Sequence, residues 1–119
     1  MFPSHDRVGK TNMALEIARR MGTTTMVFVH TEFLMDQWRN RIRQLYPKAK
    51  IGIIHQDKCR FRDRDIVIAM TGSLVAREDY PPDLYTWPGL CIYDEVHRYS
   101  AYTWWQVLPM FGSKWRLGS

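Results

Sequence analysis

Long apolar runs are missing from this chain. No window approaches the roughly eighteen consecutive apolar residues of a membrane span, and the N-terminus lacks a charged and then apolar signal segment. A soluble, cytoplasmic protein with no membrane partner is expected. Cysteine is scarce: Cys59 and Cys91 are the two in 119 residues, and they stand far apart without the short spacing of metal-ligand pairs. That excludes a disulfide framework and a cysteine-built metal site, and both read as free thiols in a reducing compartment. Internal repeats and low-complexity segments are also lacking, which leaves one continuous domain, 1–119. What is present suits a folded core, since 45% apolar and 13% aromatic content is far from the composition of a disordered chain. The length allows one core and not two. A formal charge of +5 gives a basic surface, which suits a polyanion such as nucleic acid and equally suits solubility alone.

The stretch from Leu90 to Arg98 organises the rest. Leu90, Cys91, Ile92 and Tyr93 run without a polar interruption, as a strand buried on both faces does, and stop at the adjacent carboxylates Asp94 and Glu95. Ligands of open α/β sheets gather at the carboxyl ends of strands. An acid there can hold a metal ion through its hydration shell, and a second can polarise water for attack on a phosphoryl group. The complementary half of such a site is a phosphate loop. Ser4 to Thr11 fits the G-x-x-x-x-G-K-[ST] frame with Ser4 at the first glycine, so that Gly9 lets the backbone approach phosphate, Lys10 reaches the outer phosphates and Thr11 brings a hydroxyl to magnesium. A polar turn capping a helix is the alternative reading of the same residues.

Ala14, Ile17, Ala18 and Met21 recur at helical spacing, predicting a helix over 10–21 that Gly22 ends. Residues 23–30 are β-branched and apolar, predicting a buried strand and hence a parallel crossover. Thr31 suits the N-cap of a second helix with Leu34, Trp38, Ile42 and Leu45 as its buried stripe, and Arg39, Arg41 and Arg43 on a solvated face. Residues 50–54 predict a short strand, 56–65 a solvated hairpin or loop with balanced charge, and 66–70 a further strand ending at Thr71, Gly72 and Ser73. Hydroxyls there, like that of Thr31, can either cap a helix or grip a nucleic-acid phosphate. Prolines at 81, 82 and 88 punctuate a loop or short helix, and Tyr102, Trp104, Trp105, Val107, Leu108 and Phe111 form an aromatic cluster. A final strand begins at Trp115. The expected architecture is a three-layer α/β sandwich around a mostly parallel sheet of about five strands.

In this order the residues resemble the first RecA-like lobe of a superfamily 2 helicase or translocase, nearest to the phage and DNA-repair branch with DEAH-type boxes. Lys10 and Thr11 match Walker A, residues 30–38 resemble motif Ia, residues 69–74 a later DNA-contacting motif, Asp94-Glu95-Val96-His97 motif II, and Arg116-Leu117-Gly118 the approach to motif III. The resemblance implies ATP and Mg2+ as cofactors: Gly9, Lys10 and Thr11 binding the triphosphate, Thr11 and Asp94 the metal, Glu95 activating water, and His97 communicating with motif III. It further implies that Thr31, Thr71, Gly72 and Ser73 line a track for single-stranded DNA. Arg7 stands where the family usually has a glycine, and only two residues precede Pro3 where the family has the loop-bearing first strand. That missing strand is expected to leave a central slot in the sheet, closed by a rearranged terminus, a second copy of the chain or a partner.

Two functions are expected from this. The first is a helicase ATP-binding lobe truncated at both ends, which retains nucleotide or single-stranded DNA binding and meets its second lobe in trans. It is not an autonomous helicase, because hydrolysis without an arginine finger forgoes about 10³ to 10⁵ in rate. The second is a helicase-like interaction module, viral or mobile-element encoded, acting as decoy or inhibitor of a helicase or helicase-nuclease complex.

Overall fold

A computed structural model of the chain describes residues 7–77, 79–94, 106–112 and 115–118. Its strands are β1 (Thr25–Val29), β2 (Ile51–His55), β3 (Lys58–Cys59), β4 (Ile66–Met70), β5 (Leu90–Tyr93) and β6 (Trp115–Gly118), in the spatial order β3-β2-β4-β1-β5-β6. Five of these run parallel, while the two-residue β3 folds back antiparallel on β2 as the expected hairpin. Every residue of β1, β4 and β5 is buried, because strands in the middle of a parallel sheet meet a covering layer on each face. The pleat then sorts alternate residues into two cores. Val27 and Val29 of β1 pack with α1 (Arg7–Met21) and α2 (Glu32–Leu45) on one face. Met26 and Phe28 face the other, with Leu74 of α3 (Thr71–Ala76), Leu84 of the 3-10 turn Pro82–Thr86, and Val107 and Phe111. The result is the three-layer sandwich, its second outer layer built from short pieces.

Local chemistry sets the boundaries. Gly22 follows α1 at φ 63°, and its N–H closes on the carbonyls of Ala18 and Arg19; a left-handed residue there suits glycine, which has no Cβ to clash. Thr31 caps α2, its hydroxyl accepting from the N–H of Leu34 at 3.1 Å. Leu34, Trp38 and Ile42 are buried as the stripe requires, whereas Leu45, in the last turn, is 40% exposed. Among the described residues no helix is long and apolar enough to cross a membrane, and neither Cys59 nor Cys91 is in a disulfide.

The central slot is corrected by the strand order. Each strand is bonded to the next without interruption, so among the described residues the open edges are those of β3 and β6. Handedness supplies the reason. The step from β1 through α2 to β2 passes beyond β4, and α1 lies on the same face as α2. A right-handed crossover through α1 into β1 therefore starts from the opposite side of β1, where β5 and β6 already stand, and its strand would add outside β6.

At the far end of the sheet α1 and α2 are clasped by Glu16. Its carboxylate accepts from Arg19 (2.8 and 3.2 Å), Arg20 (2.8 Å) and the hydroxyl of Tyr46 (3.0 Å). These donors, Arg19 foremost, hold the carboxyl down at about 2 against an ordinary 4.5. The lowered value means that the folded state holds this proton less tightly than the unfolded chain does. The stabilisation is accordingly complete above pH 4.5 and is lost as pH falls through about 2. Being at the surface, it is also screened by salt. Chemical denaturation of the native chain and Glu16→Gln should show a midpoint gap at neutral pH that narrows across this acidic range; a gap independent of pH would contradict the clasp.

Candidate functional site at the carboxyl edge of the sheet

Asp94 follows β5 directly, and its N–H donates to the carbonyl of Phe28 at 3.1 Å, extending the β1–β5 ladder by one residue. Beneath it Phe28 stacks on Tyr93, with ring centroids 4.8 Å apart, and meets Phe111 edge-on at 5.0 Å. The acid is thus set on a rigid, packed base. Asp94 is 8% exposed, and its Oδ2 accepts from the indole Nε1–H of Trp38 at 2.7 Å. A charge near the interior needs such a donor, because an unpaired buried carboxylate is costly.

Residues 22–24 deliver the end of α1 to the amino end of β1, so α1 runs antiparallel to the strands and its first turn returns to their carboxyl edge. The sheet edge that carries Asp94 is therefore the one to which the start of α1 points. The first-turn N–H groups have no partner within the helix, and with the helix dipole they favour an anion. Gly9 and Lys10 lie in that turn and Thr11, half-buried, in the next. Here the expected boundary is corrected: the helix starts at Arg7 rather than at Lys10, so the last part of the phosphate-loop frame is helical. Arginine, valine and lysine tolerate a helix, and one glycine costs only about 1 kcal/mol. The side chain of Lys10, and all of Glu95 and His97, lie outside the described residues.

Asn12 was passed over by sequence reasoning. Its Oδ1 is buried with no hydrogen-bond partner among the described residues, and its only signal is its place beside Thr11. Trp38 was missed as well, being assigned to packing by its periodicity.

The nucleic-acid residues divide by exposure. Thr31 and Gly72 are exposed, Thr71 is 1% exposed with no partner for its Oγ1 among the described residues, and Ser73 is half-buried. Ser73 does not cap α3. Its Oγ accepts from the N–H of Gln56 at 2.9 Å, while the carbonyl of Gln56 accepts from Arg77 (2.8 Å) and from the hydroxyl of Tyr80 (2.9 Å). Gln56 itself sits at φ 57°, so three bonds hold a left-handed turn against α3. Beside it opens a basin of about 600 Å³ lined by His55, Gln56, Gly72, Ser73 and Arg77. Of the basic groups, Arg77 at this basin pairs with Asp79, and elsewhere Arg62 pairs with Asp83, both at 2.9 Å, and Arg39 with Asp36 at 2.6 Å. Exposed pairs of this kind contribute about 0–1 kcal/mol.

No cluster of three or more His, Cys, Asp or Glu side chains suited to a metal exists among the described residues. Magnesium at a triphosphate asks for less: it keeps several waters and takes one or two protein oxygens beside the phosphates. One oriented carboxylate, Asp94, and one hydroxyl, Thr11, fit that habit.

Comparison with known proteins agrees with this geometry. The family profile of the type III restriction enzyme res subunit matches residues 8–119. A mimivirus protein of Acanthamoeba polyphaga that carries the name of an ATP-dependent RNA helicase is 34% identical over 110 residues, 92% of this chain and 21% of the relative. An African swine fever virus protein of like name is 24% identical over 96 residues, 76% of this chain and 18% of its own length. The chain thus spans about a fifth of the curated relatives it matches. Among solved structures, the Sulfolobus solfataricus SWI2/SNF2 ATPase core superposes with a TM-score of 0.72 at 16% identity, over 95% of this chain and 24% of that one. UvsW of T4 superposes with a TM-score of 0.66 at 18% identity, over 94% and 25%. The chain belongs to the type III restriction enzyme res-subunit family and has the RecA-like first lobe of a superfamily 2 helicase.

Proposed function

We propose that this lobe binds ATP with Mg2+ at the carboxyl edge of its sheet and holds single-stranded DNA along the same edge, without unwinding duplexes on its own. The observation that carries the reading is the position of Asp94, fixed at the end of a strand buried on both faces, on the sheet edge to which the start of α1 points. In this reading Gly9 and Lys10 hold the outer phosphates, Thr11 and Asp94 orient the hydrated metal, Glu95 activates water, and His97 links the site to the strand at Trp115–Gly118. Exposed Thr31 and Gly72, with the basin beside Ser73, offer the phosphate contacts of the track. A DNA track is supported by a neighbour of the same fold, a SWI2/SNF2 ATPase core at 15% identity, that is known in complex with double-stranded DNA. One lobe forms one wall of a nucleotide cleft, so closure and the unwinding cycle need a second lobe.

Equilibrium binding of a fluorescent ATP analogue tests the reading when measured in Mg2+ and again in EDTA. The native chain should bind more tightly in Mg2+. Asp94→Asn should forfeit about tenfold or more of that gain, as expected for loss of a charge-assisted contact. Equal binding by the native chain in the two buffers would refute a metal-assisted site.

A further inference from the structure

Trp38 stands on the buried stripe of α2 and is 2% exposed, yet its one polar atom is not left to water or to a backbone carbonyl. The indole N–H, which can only donate, reaches 56 residues along the chain to Oδ2 of Asp94 at 2.7 Å. Three properties of this contact exceed what packing needs. The donor is on a helix anchored at its own N-cap by Thr31. The acceptor is the acid that directly follows the buried strand β5. Both groups are buried, where hydrogen bonds to a charge are strongest. An aspartate otherwise turns broadly about its terminal torsion, so a carboxylate gripped by one oxygen has a fixed plane and a fixed set of outward lone pairs.

We propose that Trp38 is a positioning residue for Asp94, acting through the indole N–H to set the carboxylate for a hydrated metal ion; the inference rests on the nucleotide reading above. It predicts a division that packing alone does not. Trp38→Phe keeps the ring and removes the donor, so nucleotide affinity in EDTA should be unchanged while the gain from Mg2+ falls by about 10- to 100-fold, the usual effect of deleting a partner of a metal-binding group. A Trp38 that only packs would leave the ratio of the two affinities untouched.

The experiment is ¹⁵N-labelled spectroscopy of the full chain together with titration of ATP analogue in Mg2+ and in EDTA. The Trp38 indole signal is identified by its loss in Trp38→Phe, or by selective labelling if that variant does not fold. Asp94→Asn keeps an acceptor of the same shape but removes its charge, so it should shift that signal in the native fold. Mn2+ added with a non-hydrolysable ATP analogue should broaden the same signal by paramagnetic relaxation. An indole signal that ignores both Asp94→Asn and Mn2+, or a Trp38→Phe chain that keeps its full Mg2+ gain, overturns the inference while leaving the nucleotide reading standing. A native chain that binds no nucleotide in either buffer overturns the nucleotide reading, and the inference with it.

Discussion

Phe28→Ala should lower the unfolding free energy by about 3–5 kcal/mol, the range for deleting a buried aromatic ring. Against a domain total of about 5–15 kcal/mol, that is enough to leave much of the population unfolded under mild denaturant. The expectation is at the upper end because Phe28 is 0% exposed and touches rings on two sides, Tyr93 stacked at 9° and Phe111 at 67°. Little can collapse into the space, since Phe28 is flanked by the paired strands β4 and β5. The same residue supports the site, for its carbonyl holds the N–H of Asp94. Urea unfolding should show the midpoint falling with an unchanged slope. A cost below about 1 kcal/mol, far short of the cavity range, would mean that the face formed by Phe28, Tyr93 and Phe111 is not packed as described.

Much of the scaffold was legible because single residues carried unambiguous physics. The uninterrupted run Leu90–Tyr93 ending at Asp94 named a doubly covered strand and its end, and Ile66–Met70 did the same for the strand two places away. Gly22 and Thr31 announced a helix stop and a helix start through conformations and hydrogen bonds that few other residues supply. What sequence could not supply was partnership across distance. Periodicity assigned Trp38 to a buried face, but a face has no list of acceptors, and the bond to Asp94 exists only once α2 is laid over β4 and β1. The same holds for Ser73, whose hydroxyl was read as a cap or a phosphate contact and is engaged by the N–H of Gln56. Strand order is a third instance. The family resemblance placed the loop-bearing strand at the centre, whereas crossover handedness on one face pushes that position outside β6. The start of α1 at Arg7 was hidden for another reason: a glycine-containing frame read as loop can also be wound into helix at little cost.

The central claim is that the edge shared by Asp94 and the start of α1 binds a nucleoside triphosphate. Lys10 is the residue on which the largest functional effect should fall, because a point charge on the outer phosphates has no substitute among the neighbouring side chains Gly9, Thr11 and Asn12. Loss of one charge-assisted contact costs about 1.5–3 kcal/mol, or roughly tenfold to a hundredfold in affinity, and Lys10→Ala should leave the fold intact because alanine is the best helix former. Calorimetric titration of the purified chain with Mg2+ and a non-hydrolysable ATP analogue, beside Lys10→Ala, measures this directly. Saturable binding near micromolar strength, weakened at least about tenfold in the variant as that contact energy requires, is the result the account predicts. No heat of binding from the native chain, or equal binding by both chains, would contradict it.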